Sequence, residues 1–464
     1  MLEIKDKKVL IVGLGKSGIS CARFLKNKGA VVTATDCKSF DNLNEEAKRL
    51  KSSGIRIEAN GHRIETFMDA DIIVMSPGVS MDIQPVKLAR EKGITVISEI
   101  ELAYNFIKTP IIAITGTNGK TTTTSLIGEV LRKSQREVFI GGNIGNPLIE
   151  YISIKKEKDY VVAEISSFQL EGVVDFKPNI AILLNISPDH LDRYPSYQEY
   201  IKAKERIFIN QGKEDVAILN ADDPLILKIA DSLKNIRKIY FSMKKKIDKG
   251  VYLEVDSIVS EIDNQKYFYS TEKFKIKGTH NMENIMAAIA AAQICKCDNE
   301  QIKDAIDNFT GLEHRMEFVK EISGVQYYND SKATNAGAVE KSLMSFNQPV
   351  ILIAGGKDKG TGYDRLKGLV NEKVKRLILL GEAKEILLKD LGSLTQTLTA
   401  DSLQEAVELA WLASSPGDIV LLSPACSSFD MFSDYKERGK IFKATVSELE
   451  EKAEKIRKEV NEAT

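Results

Sequence analysis

The sequence predicts an α/β protein built from doubly wound, mainly parallel sheets in three successive domains. Three observations lead there. Short apolar runs such as Val9-Leu-Ile-Val12, Ile111-Ile-Ala-Ile114 and Ile419-Val-Leu-Leu422 are bounded by glycine or polar residues, as strands buried on both faces are. Helical patterns follow these runs, giving the strand–helix alternation of a parallel sheet. The runs also end in small, polar or charged residues, at the sheet edge where open α/β folds hold ligands.

At 464 residues the chain is too long for a single core, so several domains are expected. With 43% apolar and 28% charged residues and a net charge of −1, composition gives no reason to expect nucleic acid or a membrane as partner. No apolar run approaches the ~20 residues that span a bilayer, and Met1-Leu-Glu-Ile-Lys-Asp lacks a signal-peptide core. The five cysteines form no C-x-x-C pair, and Cys295-Lys-Cys297 lies in an Ala-rich helical pattern. A zinc site is not expected, and a reducing cytoplasmic location is.

The first domain, residues 1–99, opens with a strand and the turn Gly13-Leu-Gly15-Lys16-Ser17-Gly18 before a helix; Val31-Val-Thr-Ala-Thr35 then ends at Asp36. This is the dinucleotide fingerprint with its acidic residue roughly 20 positions on. Such a turn cradles a diphosphate without specifying which one, so NAD and another diphosphate both remain open. There is room for about five strands before the next unit, fewer than the six of a full dinucleotide domain. Ser76-Pro-Gly78 ends the fourth strand on the same edge.

The second domain, 100–311, is organised around Ile111-Ile-Ala-Ile-Thr-Gly116-Thr117-Asn118-Gly119-Lys120-Thr121-Thr122-Thr123-Thr124. Strand, Gly-rich turn and helix line backbone N–H groups up against phosphate at a helix N-terminus. Lys120 would reach the outer phosphates, and the Thr121 hydroxyl would hold Mg²⁺. The first glycine of the common G-x-x-x-x-G-K-[ST] spacing would fall at Ile114, so the loop is the shorter Gly116-x-x-Gly119-Lys120-Thr121. Tyr160-Val-Val-Ala163 delivers Glu164 beside it, suited to a metal-ligating carboxylate. Ile180-Ala-Ile-Leu-Leu184 empties into a loop with His190 between Asp189 and Asp192. The helix from Tyr197 to Ile209 carries Lys202, Lys204 and Arg206, by itself a solvated basic face, and Val216–Asn220 is expected to close the sheet. Segments near 252–277 read as a small antiparallel addition. Gly278-Thr-His-Asn281-Met-Glu-Asn284 is expected to cap a helix from Ile285 to Ile294, with both asparagines on one face.

The third domain, 312–464, restarts the pattern. Strands lead in turn to Asn329-Asp330-Ser-Lys332-Ala-Thr334, Gly355-Gly-Lys-Asp-Lys359-Gly360, Gly381-Glu382 and Ser423-Pro-Ala-Cys-Ser-Ser428. The charge-rich helix from about 434 is expected to face solvent.

The order of these motifs resembles the ATP-dependent Mur amide ligases of peptidoglycan assembly, from residue 8 to about 443. Its carriers are Gly-Leu-Gly-Lys-Ser-Gly, Gly-Thr-Asn-Gly-Lys-Thr-Thr, Glu-Ile-Ser-Ser-Phe-Gln, Asn-Ile-Ser-Pro-Asp-His-Leu-Asp-Arg-Tyr, His-Asn-x-x-Asn, Thr-Gly-Leu-x-His-Arg, Asn-Asp-Ser-Lys-Ala-Thr-Asn and Ser-Pro-Ala-Cys-Ser-Ser. The last two look like the D-glutamate-adding branch. The resemblance implies a Rossmann-like first domain, a P-loop ATPase-type central domain and a Rossmann-like last domain. It also implies that the first turn holds the uridine diphosphate of UDP-N-acetylmuramoyl-L-alanine, with Gly15, Lys16, Ser17, Asp36, Cys37, Lys38 and Ser76 lining that pocket. Asn143, Ser166 and Gln169 would follow the sugar–alanine arm.

The same resemblance implies ATP on Thr117, Asn118, Gly119, Lys120, Thr121, Thr122 and Thr123, with Asn281, Asn284, Arg315 and Asp330 positioning the nucleoside or phosphates. Two Mg²⁺ ions would be held by Thr121, Glu164, His190 and Lys204. The last matches a lysine that is carbamylated in the family, Lys202 being the other lysine nearby. An ammonium cannot bind Mg²⁺, whereas a carbamate supplies anionic oxygens. D-Glutamate would be held by Lys332, Thr334, Lys359, Ser428, Phe429 and Tyr435, the last standing where the family often has Phe. Lys120, Glu164, His190 and Lys204 are the implied catalytic set, working through an acyl phosphate, and a swinging third domain and a monomer are expected. The rivals are a ligase of this or the folylpolyglutamate type with another amino acid, a P-loop regulatory ATPase, and an NAD-dependent oxidoreductase that leaves the P-loop unexplained.

Overall fold

The computed structural model describes residues 2–462 except 155, 192, 277 and 361, with side chains as far as 449. Asp192 therefore lies outside the described residues. The chain carries three sheets. The first is parallel, in the order β3-β2-β1-β4-β5. Its strands are β1 (Lys8–Val12), β2 (Val31–Thr35), β3 (Arg56–Glu58), β4 (Ile72–Met75) and β5 (Thr95–Ser98). The expected five strands are present. Strand order reverses at β1, which pairs with β2 on one side and β4 on the other, so the glycine turn after β1 sits at a topological switch point. Leu10, Val12, Ile73 and Met75 pack on Phe67, Val86 and Ala89 to cover one face.

The second sheet has nine strands in the order β14-β13-β12-β11-β10-β9-β6-β8-β7. They are β6 (Ile111–Thr115), β7 (Val138–Gly142), β8 (Tyr160–Glu164), β9 (Ile180–Leu183), β10 (Val216–Asn220), β11 (Arg237–Ser242), β12 (Val251–Glu254), β13 (Ser257–Ile262) and β14 (Gln265–Ser270). β6 lies between β8 and β9, with Ile114 opposite both Glu164 and Ile182. β10 does not close the sheet. β11 pairs parallel to it, and Phe241 and Ser242 then take Val251 and Tyr252 as partners, so the antiparallel addition continues the same sheet. An unpaired edge leaves backbone groups unsatisfied, and the next alternating segment fills it. The helix expected from Ile285 begins at Thr279. Its Ala-rich stretch Ile285–Ala292 is wholly buried, and Asn281 and Asn284 belong to its first turns.

The third sheet has the order β15-β16-β20-β17-β18-β19. It contains β15 (Glu317–Ile322), β16 (Val325–Asn329), β17 (Val350–Gly355), β18 (Val374–Leu380), β19 (Gln396–Thr399) and β20 (Ile419–Ala425). Val350, Leu352 and Ala354 feed one core cluster, and Ile351 and Ile353 feed the other. Such two-sided burial is why these strands read as unbroken apolar runs. The final helix, Tyr435–Glu462, is not simply solvated. Phe442, Val446 and Leu449, at helical spacing, are buried in the core, and Arg438 is 2% exposed. That apolar stripe is narrow, and the charges around it mask it in the sequence.

The chain divides into two compact units. One holds residues 1–186, 198–273 and 283–307, hence the first two sheets; the other holds 187–197, 274–282 and 308–464. Among the described residues no helix is long and apolar enough to cross a membrane.

Candidate active site

The phosphate loop joins β6 to the helix Lys120–Lys133 through Gly116 (φ +150°) and Gly119 (φ +85°). A Cβ on Gly119 would collide with Asn284 Oδ1, so both backbone conformation and space demand glycine. Lys120 Nζ folds back on the loop, donating to Gly116 O and Thr117 O at 2.8 Å each. Lys204 Nζ donates to the same Gly116 carbonyl at 2.8 Å. Thr123 Oγ1 donates to Asn284 Oδ1 at 3.2 Å, while Thr122 is buried and Thr121 half-buried.

Lys204 is 1% exposed, unlike Lys202, whose side chain is 59% exposed and pairs with Glu199. A buried ammonium is costly unless it finds acceptors. Here the Gly116 carbonyl and the face of Tyr200, 4.6 Å away, provide for it. Tyr200 OH also lies 3.0 Å from Thr117 Oγ1. Sequence reasoning did not single out Tyr200. Its i,i+4 spacing from Lys204 puts both on one helix face and was the available signal.

Glu164 closes β8 beside the loop and is 1% exposed. Asn143 Nδ2 donates to its Oε1 at 2.7 Å, and its Oε2 is buried without a hydrogen-bond partner among the described residues. A desolvated, uncommitted carboxylate oxygen at the end of the strand beside the phosphate loop suits a hard cation. The Glu164 carboxylate therefore fits Mg²⁺ as an oxygen ligand.

At the first sheet, the Asp36 carboxylate accepts from Leu14 N (2.7 Å) and Lys38 N (2.9 Å), bracing the glycine turn to the end of β2. Ser76 Oγ donates to Gly13 O at 2.8 Å. Gly18 packs so tightly on Gly13 O that no side chain fits, whereas Gly15 faces open space. An open backbone at the switch point is what close approach of a diphosphate requires. Lys16 Nζ reaches Gly145 O (2.8 Å) and Asn146 Oδ1 (2.9 Å) on the turn after β7. Ser17 is half-buried, and Cys37 and Lys38 are exposed. His62, not foreseen, has Nδ1 3.1 Å from Thr35 Oγ1, and burial lowers its pKa.

Ser166 and Gln169 form a capping box: Ser166 Oγ accepts from Gln169 N, and Gln169 Oε1 accepts from Ser166 N at 3.0 Å. Gln169 is 1% exposed, and Glu99, also buried, accepts from Ile149 N at 2.7 Å. Burial pushes the Glu99 carboxyl up to about 7.

In the second unit, Asp189 is a hub that sequence reading treated only as a neighbour of His190. It is 5% exposed. Its Oδ2 accepts from Asn335 Nδ2 at 3.0 Å, and its Oδ1 accepts from His190 N at 3.0 Å and lies 3.5 Å from Lys359 Nζ. Lys359 Nζ is also 3.4 Å from Thr334 Oγ1. His190 adopts φ +56°. Lys332 Nζ sits 3.7 Å from the centre of the Tyr435 ring. Ser428 is buried and Phe429 is 70% exposed. Asp330 accepts from Ser342 Oγ (2.6 Å), Ser423 Oγ (2.9 Å) and Met316 N (3.2 Å), and burial raises its pKa to about 6. Asn281 is buried and Arg315 half-buried. Arg438 also escaped sequence reading; it donates to Ser331 O at 2.8 Å and Ser331 Oγ at 3.0 Å.

Three family models match the chain in order. "Mur ligase MurD-like, N-terminal domain" covers residues 7–98, "Mur ligase middle domain" 114–292 and "Mur ligase, glutamate ligase domain" 314–426. The UDP-N-acetylmuramoylalanine–D-glutamate ligase of Geotalea uraniireducens is 51% identical, over 97% of this chain and 100% of its own. Its counterpart in Geotalea daltonii is 50% identical, over 97% and 99%. Among solved structures, a pseudomurein peptide ligase type C from Methanothermus fervidus superposes with a TM-score of 0.61 at 20% identity, covering 96% of this chain and all of that one. This last likeness is one of fold.

Proposed function

The chain belongs to the Mur ligase family, and from that membership we infer an ATP-dependent ligase that adds D-glutamate to UDP-N-acetylmuramoyl-L-alanine in peptidoglycan precursor synthesis. The observation that carries this reading is identity of 51% over nearly the whole chain to a ligase of that name.

Amide formation at neutral pH requires an activated carboxylate, because an oxide is a very poor leaving group. A carboxylate oxygen of the L-alanyl group attacks the γ-phosphorus of ATP, the bond to the β–γ bridging oxygen breaks, and ADP departs. The amine of D-glutamate attacks the acyl phosphate carbon, loses a proton, and phosphate leaves as the amide forms. The first step brings two anions together, so the protein's task is positioning and charge neutralisation. Lys120, now folded on Gly116 O and Thr117 O, would exchange those carbonyls for phosphate oxygens. Bound Mg²⁺ would screen the remaining phosphate charge. Thr121 and the free oxygen of Glu164 are suited to hold one ion. His190 and Lys204 would serve a second, Lys204 as its carbamate. Lys332, Thr334, Lys359, Ser428, Phe429 and Tyr435 would hold D-glutamate, with Asp189 keeping the Lys359 ammonium in place. We assign residues 1–99 to the UDP substrate, 100–311 to ATP and 312–464 to the amino acid, and expect a cytoplasmic monomer.

The deciding experiment is phosphate release from ATP and Mg²⁺ with each acceptor alone and with both. Release that requires UDP-N-acetylmuramoyl-L-alanine and D-glutamate together is the expected result. Release indifferent to both would instead favour a regulatory ATPase.

A further inference from the structure

The phosphate loop is held open by a residue outside it. Asn185 follows β9, the strand beside β6, and makes three hydrogen bonds to two consecutive loop residues. Its carbonyl accepts from Thr117 N at 2.9 Å. Its Oδ1 accepts from Asn118 N at 2.9 Å, and its Nδ2 donates to Asn118 O at 3.1 Å. The asparagine amide thus pairs with both backbone groups of Asn118 as a neighbouring strand would. Only an amide presents a donor and an acceptor at that spacing.

Asn185 is itself anchored on both sides. Leu184 N donates to Thr115 O at 3.1 Å, and Leu184 O accepts from Asn220 Nδ2 at 2.9 Å. Ile186 N donates to Asp223 Oδ2 at 2.8 Å. Gly116 packs against Leu184 and Asn185 with no room for a relaxed side chain. The first half of the loop is therefore hydrogen-bonded as an extension of the sheet.

The consequence concerns which amides face phosphate. Thr117 N and Asn118 N are committed to Asn185, so they cannot also turn toward the nucleotide without breaking this lattice. Among the described residues, Gly119 N donates to no protein group. We propose that Asn185 is a positioning residue for ATP: it clamps Thr117–Asn118 so that the phosphate-binding amides begin at Gly119, at the helix N-terminus. The shortened spacing from Gly116 to Gly119 then reflects a loop whose leading half is structural. This rests on the ATP reading of the loop and specifies which part of it touches phosphate.

Two measurements test it. In the full-length, nucleotide-free enzyme, amide hydrogen exchange should show Thr117 and Asn118 already protected, with Gly119, Lys120 and Thr121 gaining protection when a non-hydrolysable ATP analogue and Mg²⁺ are added. Free exchange at Thr117 and Asn118 that slows only with nucleotide would overturn the proposal. In kinetics, Asn185→Ala and the near-isosteric Asn185→Asp should raise KM for ATP about tenfold or more, the scale expected for losing hydrogen bonds that preorganise a charged site. KM for the UDP-sugar and for D-glutamate should stay within about twofold of the unmodified enzyme. An unchanged KM for ATP, or all three rising together, would reject the positioning role. If the unmodified enzyme released no phosphate from ATP with both acceptors present, the ATP reading itself would fail, whatever the Asn185 variants do.

Discussion

Asn143 donates to one oxygen of Glu164 at 2.7 Å, and the other is buried with no hydrogen-bond partner among the described residues. The amide fixes the carboxylate's rotamer, so the free oxygen is preset for a cation and needs no reorganisation to bind it. Glu164→Gln replaces that oxygen or its neighbour with an N–H₂ donor, which repels Mg²⁺. The expected outcome is a large fall in kcat and a Mg²⁺ requirement displaced to higher concentration. Asn143→Ala should weaken Mg²⁺ affinity by the 10- to 100-fold typical of groups that orient a ligand, moving the requirement to higher Mg²⁺. A Mg²⁺ titration of initial rates checks both, and an Asn143→Ala curve superimposable on the parent's would refute the orienting role.

Lys204 gives the second prediction. As an ammonium it donates to Gly116 O; as a carbamate it would present anionic oxygens from the same buried place. Lys204→Ala should lose most activity, and short carboxylates that fit the vacated space should restore part of it. Lys204→Arg, a permanent cation, should be inactive and not rescued. Stripping CO₂ from the buffer should slow the unmodified enzyme, reversibly on adding bicarbonate. Full activity of Lys204→Ala, or its loss with no rescue by any carboxylate, would remove the carbamate from the mechanism.

Much of the architecture behind these sites was legible in the sequence for a physical reason. Strands buried on both faces, such as Val350–Ala354, must be apolar throughout, and their carboxyl ends must change character abruptly. The glycines at 13, 116 and 119 mark positive φ. Less legible were residues whose partners lie far along the chain. Nothing local to Asp189 announces Asn335, 146 residues away. Arg438 sits in a run of charges, and only its distant bonds to Ser331 reveal that it is buried. The continuation of the central sheet past Asn220 was missed because strand alternation tells which face is buried, not which edge is joined.

The third prediction concerns pH. Burial raises the Glu99 carboxyl from 4.5 to about 7. Between those values the folded protein binds more protons there than the unfolded chain does, so stability falls as pH rises. The contribution is fully present below pH 4.5 and lost as pH passes 7, amounting to about 3 kcal/mol at 1.36 kcal/mol per unit for this wholly buried group. Asp330, raised from 3.8 to about 6, acts in the same direction over a lower window. Glu99→Gln keeps an acceptor for Ile149 N and removes the titration. Its melting temperature should change less than the parent's between pH 5 and pH 8. Parallel melting curves for the two proteins across that range would show that Glu99 does not titrate there.

The last prediction separates the ring of Tyr435 from its backbone. Lys332 Nζ lies 3.7 Å from the ring centre, while Tyr435 O accepts from Ser331 Oγ at 2.8 Å. The backbone bond survives any substitution, and the ring face survives replacement by Phe. Tyr435→Phe should therefore leave KM for D-glutamate within about twofold, because the attraction of a cation to the ring needs no hydroxyl. Tyr435→Leu removes that face from beside the Lys332 ammonium. A cation–π contact of roughly 0.5–2 kcal/mol corresponds to a rise in KM for D-glutamate of about two- to thirtyfold, with KM for ATP unmoved. Equal KM values for Tyr435→Leu and Tyr435→Phe would mean that the ring does not position Lys332 for the amino acid.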